Sequence, residues 1–231
     1  MSRTVIVSLD FDDIAPALAL VGALGHAANH YKIGIQTLAA AGPHLPRTLI
    51  DQGKTVFLDL KLHEIPNSVA GAVRVAGKLG VEMVTVHASA GSSVLRAAVE
   101  AARPFPRLRI LALTVITSLT DAELPEVGLA PSVESQVMRL ALLASSAGCH
   151  GVVASVREAS LLRVQLPPQA LIVCPGIQLP DASQTDQARV ASPAEAARAG
   201  ATHIVVGRGV AAASQPRDVF RRIVAEFEMS I

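Results

Sequence analysis

The sequence predicts an α/β protein, a (β/α)8 barrel of the TIM type, and three observations carry the prediction. Short apolar strands and helical patterns alternate along the chain, eight of each in 231 residues. Hydrophobic residues make up 51% of the chain, charged residues 17% and aromatics only 3%. Much Val, Ile, Leu and Ala with few aromatics suits parallel strands covered by helices. Polar residues also gather at the carboxyl ends of the strands, the face where such a barrel builds its active site. An open doubly wound sheet is the runner-up, but no G-x-G-x-x-G follows the first strand.

The strand–helix units follow in order. Thr4–Asp10 leads to a helix at Asp13–Leu24, closed by Gly25. Tyr31–Ile35 leads to Pro43–Gln52, closed by Gly53. Thr55–Leu62 begins β-branched and aromatic without a charge, as a buried strand does, and its helix runs from Asn67, near Ser68, to Leu79 before Gly80. Met83–His87 leads to Ser92–Ala102. Arg109–Ile116 leads to Ser132–Ala147, opened by Ser132 and closed by Gly148. Gly151–Ser155 leads to Arg157–Val164. Ala170–Pro175 leads to Pro193–Ala199, with Ser192 before it and Gly200 after, and His203–Arg208 leads to Arg217–Met229. Serine near a start and glycine just past an end are the expected helix punctuation.

No linker or low-complexity stretch divides residues 1–231, so one barrel domain is expected. Net charge is +1 and no Lys/Arg run appears, which argues against nucleic acid as a partner. The apolar stretches Ile14–Tyr31 and Leu140–Val156 are broken by glycine, histidine and polar residues. Each reads as a helix turning into a strand, not as a membrane span. The amino-terminal apolar run is too short for a signal-peptide core, so a soluble cytoplasmic protein is expected. Cys149 and Cys174 have no metal or redox spacing and read as isolated buried thiols.

Thr55–Ser68, TVFLDLKLHEIPNS, is the most informative stretch. Alternation along a strand turns Asp59 and Lys61 to one face, about 7 Å apart along the backbone, and Leu60 and Leu62 to the other. Glu64 follows within reach, and Ile65-Pro66-Asn67-Ser68 ends the strand and opens a helix. Carboxylate, ammonium and carboxylate at one strand end are costly to desolvate, which favours a functional cluster. A solvated salt bridge is the alternative reading of D-x-K alone.

Other strand ends add Asp10, Lys32, His87, Thr117-Ser118, Pro175-Gly176 and Gly207-Arg208. Asp10 is also a candidate N-cap for the first helix, and His87 a candidate backbone hydrogen-bond partner. Lys32 is costly in a core unless paired. In VVGRGVAAA, Gly207 and Gly209 allow backbone N–H groups to approach an anion, and Arg208 can make paired bonds to phosphate oxygens. An ordinary turn with a surface arginine is equally compatible with G-R-G. Gln178–Ala191, rich in Asp, Ser, Gln and Pro, reads as a lid beside it.

These residues carry a resemblance. DLKLHEIPNS is similar to the D-x-K-x-x-D-I-P-N-T signature of the orotidine 5′-phosphate decarboxylase family. VSLDFDD, YKIGIQTL, TVHASAG, LTVITSL, CPGIQLP, TDQAR and VVGRGV resemble that family's other landmarks, in order and over essentially the whole chain. Glu64 stands where the family usually has Asp, and Gln178 where bacterial members often have Arg. The resemblance implies conversion of orotidine 5′-phosphate to UMP and CO2 with no metal or cofactor. It makes Lys61 the proton donor to C6 and sets Asp59 against the substrate carboxylate, with Lys32 and Glu64 completing a charged network. It assigns ribose contacts to Asp10 and Lys32, the pyrimidine edge to Thr117 and Ser118, and the 5′-phosphate to Gln187, Gly207 and Arg208, with Gln178 as a helper. Ile65, Asn67 and Ser68 join the substrate-binding set. It further implies a homodimer with active sites at the subunit interface. Sugar-phosphate decarboxylases and aldolases share D-x-K-x-x-D but usually lack I-P-N-[ST] and commonly need Mg²⁺. A catalytically silent phosphate-binding barrel is the alternative outside the enzymes.

Overall fold

A computed structural model describes residues 3–179 and 190–229. Eight parallel strands close in sequence order into a barrel: β1 (Thr4–Leu9), β2 (His30–Gly34), β3 (Thr55–Leu62), β4 (Met83–His87), β5 (Arg109–Leu113), β6 (Gly151–Val153), β7 (Leu171–Cys174) and β8 (His203–Val206). Closure is made by β1 on β8, with Val5 opposite Ile204 and Val7 opposite Val206.

Helices cover the outside: α1 (Ile14–Leu24), α2 (Ile35–Ala41), α3 (His44–Asp51), α4 (Pro66–Leu79), α5 (Ser92–Ala102), α6 (Val133–Ser146), α7 (Val156–Gln165), α8 (Pro193–Arg198), α9 (Arg208–Ala211) and α10 (Pro216–Met229). The stretches 14–31 and 140–156 do run from helix through turn into strand, and no helix among the described residues is long and apolar enough to cross a membrane.

Two apolar layers follow from strand alternation. Val5, Val7 and Leu9 face the helices, whereas Ile6 joins Phe57, Met83, Leu111, Leu113, Val153, Val173 and Val205 inside the barrel. Above that inner layer, toward the carboxyl ends, the same parity gives Ser8 and Asp10, Lys32, Asp59, and Thr85. The packed interior is therefore the floor of the site.

Caps agree with the expected punctuation. Ser132 and Ser192 cap α6 and α8, and Gly25, Gly53, Gly80, Gly148 and Gly200 all have positive φ. Asp13, not Asp10, caps α1, accepting from the Ala15 N–H, so Asp10 is left for the mouth. The helix after β3 begins at Pro66, before Asn67 and Ser68. Several strands stop short of their expected ends, β5 at Leu113 instead of Ile116 and β8 at Val206 instead of Arg208. Ile35 opens α2 and does not end β2. Cys174 is buried and Cys149 half-buried; both are free, and burial raises both thiols, that of Cys149 to about 12. The expected lid, Gln178–Ala191, lies outside the described residues over 180–189.

Candidate active site

The carboxyl ends of the strands surround a cleft of about 550 Å³, a volume suited to a small molecule. Its polar wall is built from the barrel upward. Lys32 on β2 extends between β1 and β3, and its ammonium lies 3.1 Å from Asp10 Oδ1 and 3.5 Å from Asp59 Oδ2. Lys61 Nζ donates to the same Asp59 oxygen at 2.7 Å. The other Asp59 oxygen accepts from the Thr85 hydroxyl at 2.9 Å, and the Ser8 hydroxyl donates to Asp10 Oδ2 at 2.6 Å. One buried carboxylate thus holds two ammonium groups, and the lysine on β2 links it to a second acid.

The strand itself is not regular here. Leu58 pairs with Val84, but Leu62 pairs with Val86, so β3 spends four residues where β4 spends two. Lys61 takes φ 49°, the only non-glycine with positive φ among the described residues. A bulge of this kind re-aims a side chain. The expected flat alternation is therefore modified, although Leu60 and Leu62 still pack toward the helices as expected.

Electrostatics follow from the geometry. Burial alone would raise the Asp59 carboxyl, but Lys32 and Lys61 together with the Lys61 and Thr85 hydrogen bonds outweigh it and hold it below its ordinary value. Asp59 is therefore a carboxylate at neutral pH. His87 is lowered by burial, and further by His63 and Lys61; its ring stacks on His63 at 5.2 Å between centroids. Its Nδ1 accepts from the Ser89 N–H at 3.3 Å, capping the short turn that follows β4. That is the backbone role open to it from the sequence.

Asp10, Lys32, Asp59, Lys61, Thr117, Gln178, Gly207 and Arg208 all line the cleft, with Pro175 and Gly176 between the polar groups. Arg208 opens α9 directly after Gly207, and an added Cβ at Gly209 would meet nothing within 4 Å, so open space lies against this backbone. Glu64, Ile65, Asn67 and Ser68 are exposed at the start of α4 and do not line the cleft of this chain. Ser68 and the Ile65 backbone, as hydrogen-bond donors, lower the Glu64 carboxyl, so within one chain it is tied to the start of α4 and not to the lysines. Ser118 is exposed and also outside the cleft lining. Gln187 lies outside the described residues.

Ser8 and Thr85 are the residues sequence reasoning missed. Both are buried polar groups at positions of inward parity, Ser8 two before Asp10 and Thr85 two before His87. Extending the period-two rule down from the strand ends would have found them.

A closed parallel barrel whose strand ends gather two lysines around one buried aspartate defines a (β/α)8-barrel enzyme with its chemistry at the carboxyl-terminal mouth. Sequence comparison narrows the class. The profile of the orotidine 5′-phosphate decarboxylase / HUMPS family matches residues 3–223, and the chain belongs to that family. It is 45% identical to an orotidine 5′-phosphate decarboxylase of Moorella thermoacetica, over 97% of this chain and 92% of that protein. It is also 45% identical to the enzyme of that name from Anaeromyxobacter sp. strain K, over 97% of this chain and 98% of the other. The crystal structure of orotidine 5′-phosphate decarboxylase from Lactobacillus acidophilus superposes with a TM-score of 0.87 at 32% identity, covering 98% of this chain and 99% of that one.

Proposed function

We propose that this chain decarboxylates orotidine 5′-phosphate to UMP and CO2, the closing step of pyrimidine nucleotide synthesis. The observation that carries the reading is the lysine–aspartate array, in which Lys61 Nζ and Lys32 Nζ meet one buried Asp59 oxygen at 2.7 and 3.5 Å. Loss of CO2 leaves an electron pair at C6 with no adjacent π-acceptor. A fixed cation beside C6 stabilises that charge directly, and a water-poor pocket magnifies the effect. Lys61 is that cation. It gives its proton to C6 after CO2 has left, becomes a neutral amine, and regains a proton from solvent once UMP leaves.

Asp59 has two roles. As an anion it pairs with Lys61 and Lys32 and orients both. It also faces the substrate carboxylate, whose negative charge is relieved as CO2 departs, so repulsion weighs on the bound substrate more than on the transition state. Asp10 and Lys32 hold the ribose hydroxyls, and Thr117 meets the pyrimidine edge. Gly207 and Arg208, with Gln178 and Gln187, bind the 5′-phosphate. Binding energy at that distant phosphate organises the charged groups and lowers the barrier at C6.

The active form is a cytoplasmic homodimer. The exposed Glu64 and the Ile65, Asn67 and Ser68 beside it serve the neighbouring subunit's site, which agrees with their position outside this chain's own cleft. The direct test follows the ultraviolet absorbance of orotidine 5′-phosphate with purified protein in excess chelator. Loss of substrate matched by UMP is expected. UMP binding without turnover would make the chain a silent barrel, and turnover that stops with the chelator would favour a metal-dependent relative.

A further inference from the structure

Thr85 occupies the centre of β4, fully buried, beneath the lysine–aspartate array. A threonine hydroxyl has one proton to donate and lone pairs to accept. Here it donates to Asp59 Oδ1 at 2.9 Å and accepts from the Lys61 backbone N–H at 2.8 Å. Both partners are exceptional. Asp59 is a buried carboxylate whose other oxygen is taken by the two ammonium groups. Lys61 is the non-glycine residue at φ 49°, inside the bulge where the β3–β4 ladder loses register. Bulging removes the ladder partner of that N–H, and the hydroxyl replaces it. A valine here would fill the same space and satisfy neither group.

We infer that Thr85 is a positioning residue for the decarboxylation, its one hydroxyl locking the bulged Lys61 backbone and the Asp59 carboxylate into a single arrangement. The inference rests on the function proposed above. With Oδ1 anchored, Oδ2 is turned to the lysines, and with the Lys61 amide anchored, its side chain leaves the strand along one path into the cleft. Both halves of the charge array are thus referenced to β4, which carries no reacting group of its own.

The test compares wild type, Thr85→Val and Thr85→Ser in orotidine 5′-phosphate turnover across pH. Thr85→Val should lower kcat by about 10²-fold, the scale of an ångström-sized misplacement of reacting groups, with KM changed by less than about threefold. The charged groups around Asp59 are Lys32 from β2 and Lys61 on its own strand, with Asp10 beyond Lys32 and His87 near Lys61. All four remain in Thr85→Val. Loss of the hydroxyl donor alone then raises the Asp59 carboxyl, so the acid limb of kcat moves to higher pH. Thr85→Ser, which keeps the hydroxyl and drops the methyl, should restore most of both. A kcat for Thr85→Val within about threefold of wild type, with an unmoved acid limb, would overturn the inference. So would a Thr85→Ser variant as impaired as Thr85→Val, since the methyl and not the hydroxyl would then matter. A wild-type protein inactive on this substrate would overturn the function itself, and the inference with it.

Discussion

Replacing Asp59 by asparagine removes the one anion shared by both lysines while leaving shape almost unchanged. Deleting one member of a buried ion pair typically costs about 3–5 kcal/mol, because the partner charge stays behind. Two features of this site lower that figure. Lys32 keeps Asp10 at 3.1 Å, and the stranded Lys61 side chain is 36% exposed. A loss of about 2–3 kcal/mol at neutral pH follows, which for a chain of this size is roughly 4–12 °C in Tm. The pH dependence has a definite sign. Asp59 titrates below its unfolded value, so its stabilisation is complete above the ordinary carboxyl range and disappears as pH falls through the lowered value. The gap between wild type and Asp59→Asn should therefore be full at pH 7 and close below about pH 4. Chemical denaturation at the two pH values measures it, with kcat falling by more than about 10²-fold alongside. An equal or higher midpoint for Asp59→Asn at pH 7 would refute the claim that the lysines stabilise this carboxylate in the resting fold.

Arg208→Ala should weaken UMP by roughly 1.5–3 kcal/mol, the scale of a charge-assisted hydrogen bond, with little change in turnover of the phosphate-free nucleoside; equal losses on both would remove Arg208 from the phosphate. Glu64→Ala and Lys61→Ala, each inactive alone, should recover activity when co-expressed, because one mixed site carries neither defect; heterodimers that recover nothing would end the shared-site reading. His203, at the amino end of β8, is lowered to about 4 by burial and by His30. Its folded value lies below the unfolded one, so stability falls as pH drops from about 6.5 toward that value, by on the order of 3 kcal/mol. His203→Gln should flatten that limb in urea titrations, and an unaltered slope would assign it to other groups.

The barrel was legible because each unit carried several agreeing signals. Ser132 and Ser192 open their helices and five glycines close theirs as the sequence suggests. Strand ends were overextended because Val115 and Ile116, and Gly207 and Arg208, continue an apolar or extended-looking text after the ladder has stopped. α2 was hidden for a related reason: Gly34 caps it without a side-chain bond, and Ile35 reads as strand. α9 has only four residues, too few to show a period. Within the site, Asp10, Lys32, Asp59, Lys61 and Arg208 were readable as chemistry-bearing types at strand ends. The bulge was not, since D-L-K-L is perfect alternation on paper and positive φ at a lysine leaves no mark in composition. Glu64 follows Lys61 closely in sequence, yet α4 begins two residues later and draws its carboxylate to that helix's first turn.

The proposed chemistry depends on Lys61 as both the cation at C6 and the source of its proton. The decisive measurement is single-turnover decarboxylation by Lys61→Ala beside a direct titration of UMP on the same preparation. Turnover should be nearly abolished while UMP still binds measurably, because Gly207 and Arg208, the proposed phosphate end of the cleft, are left intact. Retention of a tenth or more of the wild-type rate would contradict this role for Lys61.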